Sequence, residues 1–264
     1  MSHKRPRILL WDLETAPIIA HVWGLWENNV GLNQIVSDWH ILSWAAKWLG
    51  DPPSAIMYQD QRNAKDISDD KALLKEMWKL LNEADIVITQ NGKAFDVKKI
   101  NVRFLMNGYP PPSSYRHLDT KQMASRHFGF TSNKLEYLTD KLCVKYKKIK
   151  HTQFPGHELW TECLKGNMKA WKVMEKYNKH DVLSLEELFL KLRPWASDMT
   201  LSTYYPEADP ECDCGCQVFT KNGYYYTTTG KFQKHRCSEC GSEYRDSTNL
   251  LSKEDRGRIR RRVL

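Results

Sequence analysis

The sequence predicts an α/β domain over residues 1–197 followed by a small cysteine-supported β module, and three observations predict it. Short apolar runs of strand length come first and then alternate with stretches of helical periodicity. That pattern stops near Pro194. Five of the seven cysteines then crowd between Cys212 and Cys240, in a stretch too poor in aliphatic residues to build a core of its own.

The elements follow in order. Ile8 to Glu14 reads as a buried strand that Pro17 closes. His21 to Trp26 and Ile41 to Trp48 are aromatic-rich apolar stretches, expected as strands beside the first. Asp51-Pro52-Pro53 is a turn. Asp69 to Ala84 has Leu73, Leu74, Met77, Trp78 and Leu81 at helical spacing, with Asp69 or Asp70 as cap. Asp85 to Thr89 is a buried strand ending at Asn91-Gly92. Phe95 to Met106 is a helix stopped by Asn107-Gly108, and His117 to Thr120 a short strand end. Met123 to Phe128 and Leu135 to Leu142 are short helices, the second capped by Ser132 or Asn133. After a basic loop, Lys145 to His151, come helices over Glu158 to Leu164 and Lys169 to Leu192, ended by Pro194. Residues 198–210 read as a linker, 211–250 as a cysteine module with hairpin glycines at Gly223 and Gly230, and 251–264 as a mobile basic tail carrying GRIRRR. The tryptophans, 10 in all, are expected mostly in the core.

The 264 residues are 41% hydrophobic and 27% charged, ordinary for a globular protein, and the net charge is +8. That balance favours a polyanionic partner, nucleic acid first and an anionic membrane second. No run of 18 apolar residues exists, so no membrane span is expected. The apolar run at the N-terminus ends at Asp12, too soon for a signal-peptide core.

The run ILLWDLETAP places two carboxylates on one face, since strand residues two apart point the same way. Paired acids at the end of a buried strand are costly without a cation, and they make a seat for a hard divalent ion. Asp96 lies near a helix start, where the helix dipole stabilises a carboxylate. Tyr177 and Asp181 are four apart in the long helix and share a face, so an acid interrupts an apolar stripe.

Together these elements resemble the DEDD superfamily of 3′–5′ exonucleases, on a ribonuclease H-like mixed sheet flanked by helices. D-x-E lies on the first strand, N-x3-F-D at a helix start and Y-x3-D in a late helix, in the family's order. Lys176 stands where the histidine branch needs histidine, and Tyr177 fits the tyrosine branch. HVWGLW, ILSWAAKWLG and KLRPW add a similarity to the stand-alone, polymerase-B-like exonucleases of bacteria and phages. The resemblance implies a cytoplasmic location, in a bacterial cell or phage-infected host, and a metal-dependent exonuclease. Its two magnesium or manganese ions would be held by Asp12, Glu14, Asp96 and Asp181, with Tyr177 orienting the attacking water. DNA is expected over RNA. An exoribonuclease with the same catalytic set and a non-catalytic nucleic-acid-binding adaptor are the rival readings. The adaptor reading predicts a lost carboxylate, and all four are present. Lys145, Lys147, Lys148 and Lys150 offer phosphate contacts. Asn91 either touches substrate or caps the following helix.

In the C-terminal module, C-x2-C-G at Cys237 and Cys240 and the stretch TKNGYYYTTTGKFQKHRCSECG resemble transposase-like zinc ribbons. The upstream half departs from the pattern, because Glu211 stands where a cysteine belongs. Cys212 and Cys214, spaced C-x-C, are the expected partners, with Cys216 as the alternative. Lys234 and Arg236 are candidate nucleic-acid contacts, and docking of replication or repair proteins is the other role such a ribbon has.

Overall fold

β1 (Ile8–Thr15) is the central strand: Leu9, Leu10 and Trp11 have no exposed surface. The computed structural model describes residues 5–196, 200–204 and 210–260. After β1, β2 (Ile19–Ala20) and β3 (Ile35–Ser37) form a small antiparallel pair. β4 (Ile41–Trp48) returns antiparallel along β1, and β5 (Met57–Asp60) extends the sheet beyond it. α1 (Lys71–Glu83) leads into β6 (Ile86–Thr89), parallel to β1, and α2 (Asp96–Met106) into β7 (Arg116–Asp119), parallel to β6. The sheet order is β5-β4-β1-β6-β7. α3 (Thr120–His127), α4 (Leu135–Leu142), α5 (Glu158–Leu164) and α6 (Met168–Leu192) complete this unit, which spans Pro6–Leu192.

Alternation along β1 divides its side chains between two layers. Leu9, Trp11 and Leu13 pack with Leu74, Met77 and Leu81 of α1 and with Ile100 and Phe104 of α2. On the other face, Ala16 and Leu42 pack with Leu159 and Cys163 of α5 and with Trp171 and Met174 of α6. Asp12 and Glu14 take the second set of positions, opposite Ala45 and Ser43 of β4. The sheet therefore directs both acids toward α6.

One expected strand does not form. His21 to Trp26 is an irregular loop in which Trp23, Leu25 and Trp26 are 101%, 87% and 86% exposed. Its composition suits a strand, but β4 and β6 already occupy both edges of β1. Trp11, Trp44 and Trp171 are buried as expected, whereas Trp23, Trp26 and Trp195 face solvent.

The turn between β6 and α2 is held from one point. The Asp119 carboxylate accepts from the Asn91 N–H at 2.9 Å and the Lys93 N–H at 3.2 Å. Asn91 has φ 67°, and its side chain takes Lys121 Nζ at 3.1 Å instead of capping α2. At Gly92 an added Cβ would fall 2.2 Å from Thr89 Oγ1. Gly92→Ala is therefore expected to cost about 1–3 kcal/mol by overpacking. A chemical-denaturation midpoint checks it, and an unchanged midpoint would show that the turn has room.

The second unit groups Arg5 with the chain from Arg193 onward. Within it β8 (Phe219–Thr227), β9 (Gly230–Cys237) and β10 (Glu243–Arg245) form an antiparallel sheet ordered β10-β9-β8. Gly230 sits at the hairpin turn as expected. Gly223, with φ 70°, instead serves a bulge inside β8, where the register shifts between Lys221 and Tyr224. Part of the expected mobile tail is ordered: α7 (Lys253–Arg258) is capped by Ser252 Oγ, which accepts from the Asp255 N–H at 2.9 Å. Residues 261–264, with the last two arginines of GRIRRR, and most of the 198–210 linker lie outside the described residues.

Candidate active site and metal centres

β1 and α6 bring Asp12, Glu14 and Asp181 together, with one carboxylate oxygen of each within 4.8 Å of the others. The strand supplies two acids by its alternation. The helix supplies Tyr177 and Asp181 one turn apart, both buried. Asp96, the first residue of α2, is 4% exposed and accepts from the Leu13 N–H at 3.3 Å. It stands outside the three-acid cluster, yet its charge is felt by Asp12 and Glu14.

The electrostatics are those of a site built for positive charge. Burial, and then the charges of Asp96, Glu14 and Asp181, hold the Asp12 carboxyl well above the usual carboxylate range. Burial and Asp181 push Glu14 up to about 8. Burial raises Asp96 to about 7. Acids that repel one another in a low-dielectric site keep their protons until a cation takes their place.

Other side chains orient the acids. Asn178, fully buried on α6, donates through Nδ2 to Asp12 Oδ2 at 2.8 Å and accepts from Ser43 Oγ at 3.1 Å. Trp160 Nε1 donates to Glu14 Oε2 at 3.0 Å. Trp160, His151 and Tyr177 meet edge-on, with centroids 5.2 to 6.1 Å apart. None of Asn178, Trp160 and His151 was a candidate site residue from the sequence. Asn178 alone left a signal, a polar residue on the α6 turn that carries Asp181.

Lys148 lies inside the cluster rather than on the outer surface of its loop. Its Nζ is 2.5 Å from Asp181 Oδ2 and 4.6 Å from the centre of the Tyr177 ring. Burial opposes its charge, but Asp181 beside it lifts the Lys148 pKa above the usual lysine value. Asp181 Oδ1 is buried with no hydrogen-bond partner among the described residues, so the carboxylate keeps one oxygen free for a further cation. Lys148→Gln should leave Asp181 buried and unpaired. The expected loss of stability is about 1–3 kcal/mol at pH 8, shrinking at pH 5 as the acids protonate. Thermal denaturation at the two pH values checks this, and an equal loss at both would contradict it.

The other lysines of that loop face outward. Lys147 Nζ pairs with Asp140 at 3.3 Å and Lys150 Nζ with Glu136 at 3.4 Å, while Lys145 Nζ lies 5.0 Å from the Tyr146 ring centre. His180 Nε2 meets the Lys147 carbonyl at 2.6 Å.

In the second unit Cys212, Cys214, Cys237 and Cys240 bring their sulfurs within 4.8 Å of one another. Gly215 and Gly241, with φ 96° and 78°, turn the chain under each pair. Despite burial, hydrogen bonds from Ser242 bring Cys240 down to about 7. Cys216 turns instead toward Ser238 Oγ, 3.4 Å away. Four thiols on two knuckles fit a tetrahedral zinc ion. Lys234 and Arg236 both pair with Glu243, at 3.3 and 2.8 Å.

A mixed five-stranded sheet in the order β5-β4-β1-β6-β7, flanked by helices, fits a ribonuclease H-like α/β fold. Residues 53–193 match the RNase H superfamily, and the chain belongs to that superfamily. Its fold is similar to that in a structure of the family B DNA polymerase from the hyperthermophilic archaeon Pyrobaculum calidifontis, with a TM-score of 0.51 and 13% identity. The match covers 72% of this chain and 25% of that one, so the chain spans about a quarter of the polymerase's length. No curated protein matches the chain. The superfamily match supports a reading of the chain as a nuclease. Among the described residues no helix is long and apolar enough to cross a membrane.

Proposed function

We propose that the chain is a divalent-metal-dependent 3′–5′ exonuclease that hydrolyses phosphodiester bonds of DNA at single-stranded or frayed ends. The meeting of Asp12, Glu14 and Asp181 within 4.8 Å carries this reading. These three would hold magnesium or manganese, two ions by the family resemblance, with Asp96 contributing directly or through water. When bound, such ions offset the negative charge that develops on the attacking and leaving oxygens and lower the pKa of a water.

The chain's own groups have distinct tasks. Asn178 and Trp160 fix Asp12 and Glu14, each using one acid oxygen and leaving the other for a cation. Burial and the nearby Asp181 raise the Tyr177 pKa above the ordinary phenol value, so Tyr177 keeps its proton at neutral pH. It acts by hydrogen-bonding the attacking water and fixing its approach, not by removing the proton. Lys148 supplies a fixed positive charge beside the phosphate. Asn91, Lys145, Lys147, Lys234 and Arg236 contact the nucleic acid. The ion pairs of Lys147, Lys234 and Arg236 are partly exposed and therefore weak enough to exchange for phosphate. The zinc ion on Cys212, Cys214, Cys237 and Cys240 is structural.

The test uses 5′-labelled single-stranded DNA, duplex DNA and RNA, with magnesium or manganese, beside an Asp12→Ala/Glu14→Ala variant. Shortening from the 3′ end, fastest on single-stranded DNA and absent in the variant, is expected. Intact substrates with folded protein would sink the proposal, and faster loss of RNA would replace DNA with RNA. For the second centre, purified protein should carry one zinc per chain and a Cys237→Ser/Cys240→Ser variant none. Zinc retained by that variant would rule the site out.

A further inference from the structure

The β8–β9 hairpin carries cations and aromatic rings on both faces, and the two faces differ in what their cations do. Cross-strand pairing puts Tyr225 opposite Phe232 and Arg236 opposite Glu243 of β10. On that face Lys234 and Arg236 are tied to Glu243, and the Arg245 guanidinium lies 4.2 Å from the Phe232 ring centre. Each of these cations already has a partner within the module.

The opposite face is arranged otherwise. Tyr224 and Tyr226 are two apart on β8 and so project together. They are 45% and 65% exposed, with ring centroids 6.5 Å apart. Lys231, paired opposite Tyr226, holds its Nζ 4.0 Å from the Tyr224 ring centre and 6.0 Å from that of Tyr226. No carboxylate pairs with Lys231 among the described residues. The strand beneath is braced: Asn249 Oδ1 accepts from the Lys231 N–H at 3.1 Å, and the Lys231 carbonyl accepts from the Leu250 N–H at 2.7 Å. Two exposed rings on β8, paired to this braced strand, with one ammonium lacking a carboxylate partner beside them match what unpaired bases require, a π-face for stacking and a charge for the adjoining phosphate. Duplex DNA hides its base faces and cannot use the rings.

We propose that Tyr224, Tyr226 and Lys231 form a stacking platform for unpaired nucleobases of single-stranded nucleic acid. The proposal rests on the reading of the chain as a nuclease, and it adds base stacking to the phosphate contacts of Lys234 and Arg236.

Binding is measured apart from hydrolysis, by fluorescence anisotropy of labelled oligo-dT, oligo-U and a duplex, using full-length Asp12→Ala/Glu14→Ala protein as the parent. Tyr224→Leu/Tyr226→Leu should weaken single-strand binding about tenfold or more, since each stacked base is worth roughly 1–3 kcal/mol, while duplex binding stays within about twofold. Tyr224→Phe/Tyr226→Phe should restore it, because the ring and not the hydroxyl stacks. Lys231→Gln should lower the salt slope by about one. Equal weakening of dT and U marks a base-stacking site common to DNA and RNA, and loss of one alone confines it to that nucleic acid. Unchanged single-strand affinity in the leucine variant, equal loss of duplex binding, or no oligonucleotide binding by the parent would overturn the platform. If wild-type protein hydrolyses DNA but the leucine variant binds normally, the platform fails and the nuclease reading stands. Platform binding without hydrolysis gives the reverse.

Discussion

Glu14→Gln is expected to abolish most of the hydrolytic activity while making the metal-free protein more stable at pH 8. Glutamine keeps an oxygen to accept from Trp160 Nε1 but removes a charge that burial and Asp181 make costly. The activity loss should be on the order of 10²–10³, the scale for deleting one preorganised charge-stabilising group. Relief of the repulsion should add at least about 1 kcal/mol, or roughly 2–4 °C in the unfolding midpoint. Hydrolysis rates and thermal denaturation of the same preparations check both halves. A variant that loses activity and stability together would mark Glu14 as a packing residue.

The second large effect is a pH dependence whose sign differs from that of ordinary acidic residues. Unfolded carboxyls release their protons near 3.8 and 4.5, whereas Asp96 and Glu14 hold theirs to about 7 and about 8 in the folded chain. Between those limits the native state binds more protons than the unfolded state, so stability falls as pH rises. Metal-free protein should therefore be more stable near pH 5 than near pH 8. Added magnesium or manganese should narrow that gap by stabilising the high-pH form, because the ion binds the native acids only. Urea midpoints at pH 5, 6.5 and 8, with and without the ion, give the result. A midpoint rising with pH in the absence of metal would contradict the geometry of the acidic cluster.

What was legible in the sequence follows from local periodicity. A strand's alternation put Asp12 and Glu14 on one face, and a helix's turn put Tyr177 beside Asp181; neither needed the rest of the fold. The helices over Leu135–Leu142 and Glu158–Leu164 were legible for the same reason. The failed strand at His21 to Trp26 shows the limit, because strand propensity does not reveal whether an edge is free to pair. Lys148, His151 and Trp160 were illegible as neighbours of the acids. Their meeting depends on how α5 and the loop before it pack against α6, a long-range event with no periodic signal. Cys216 competed with Cys212 and Cys214 on spacing alone, and the turn at Gly215 is what directs its sulfur to Ser238.

Titrating manganese into metal-free protein shows whether Asp12, Glu14 and Asp181 act as one cation-dependent hydrolytic centre. The bound ion is followed by its paramagnetic resonance signal and the shortening of 5′-labelled single-stranded DNA in the same samples. The two curves should rise together in the wild-type protein and vanish together in the Asp12→Ala/Glu14→Ala variant. Shortening that persists in that variant, or without any divalent ion, would contradict the account.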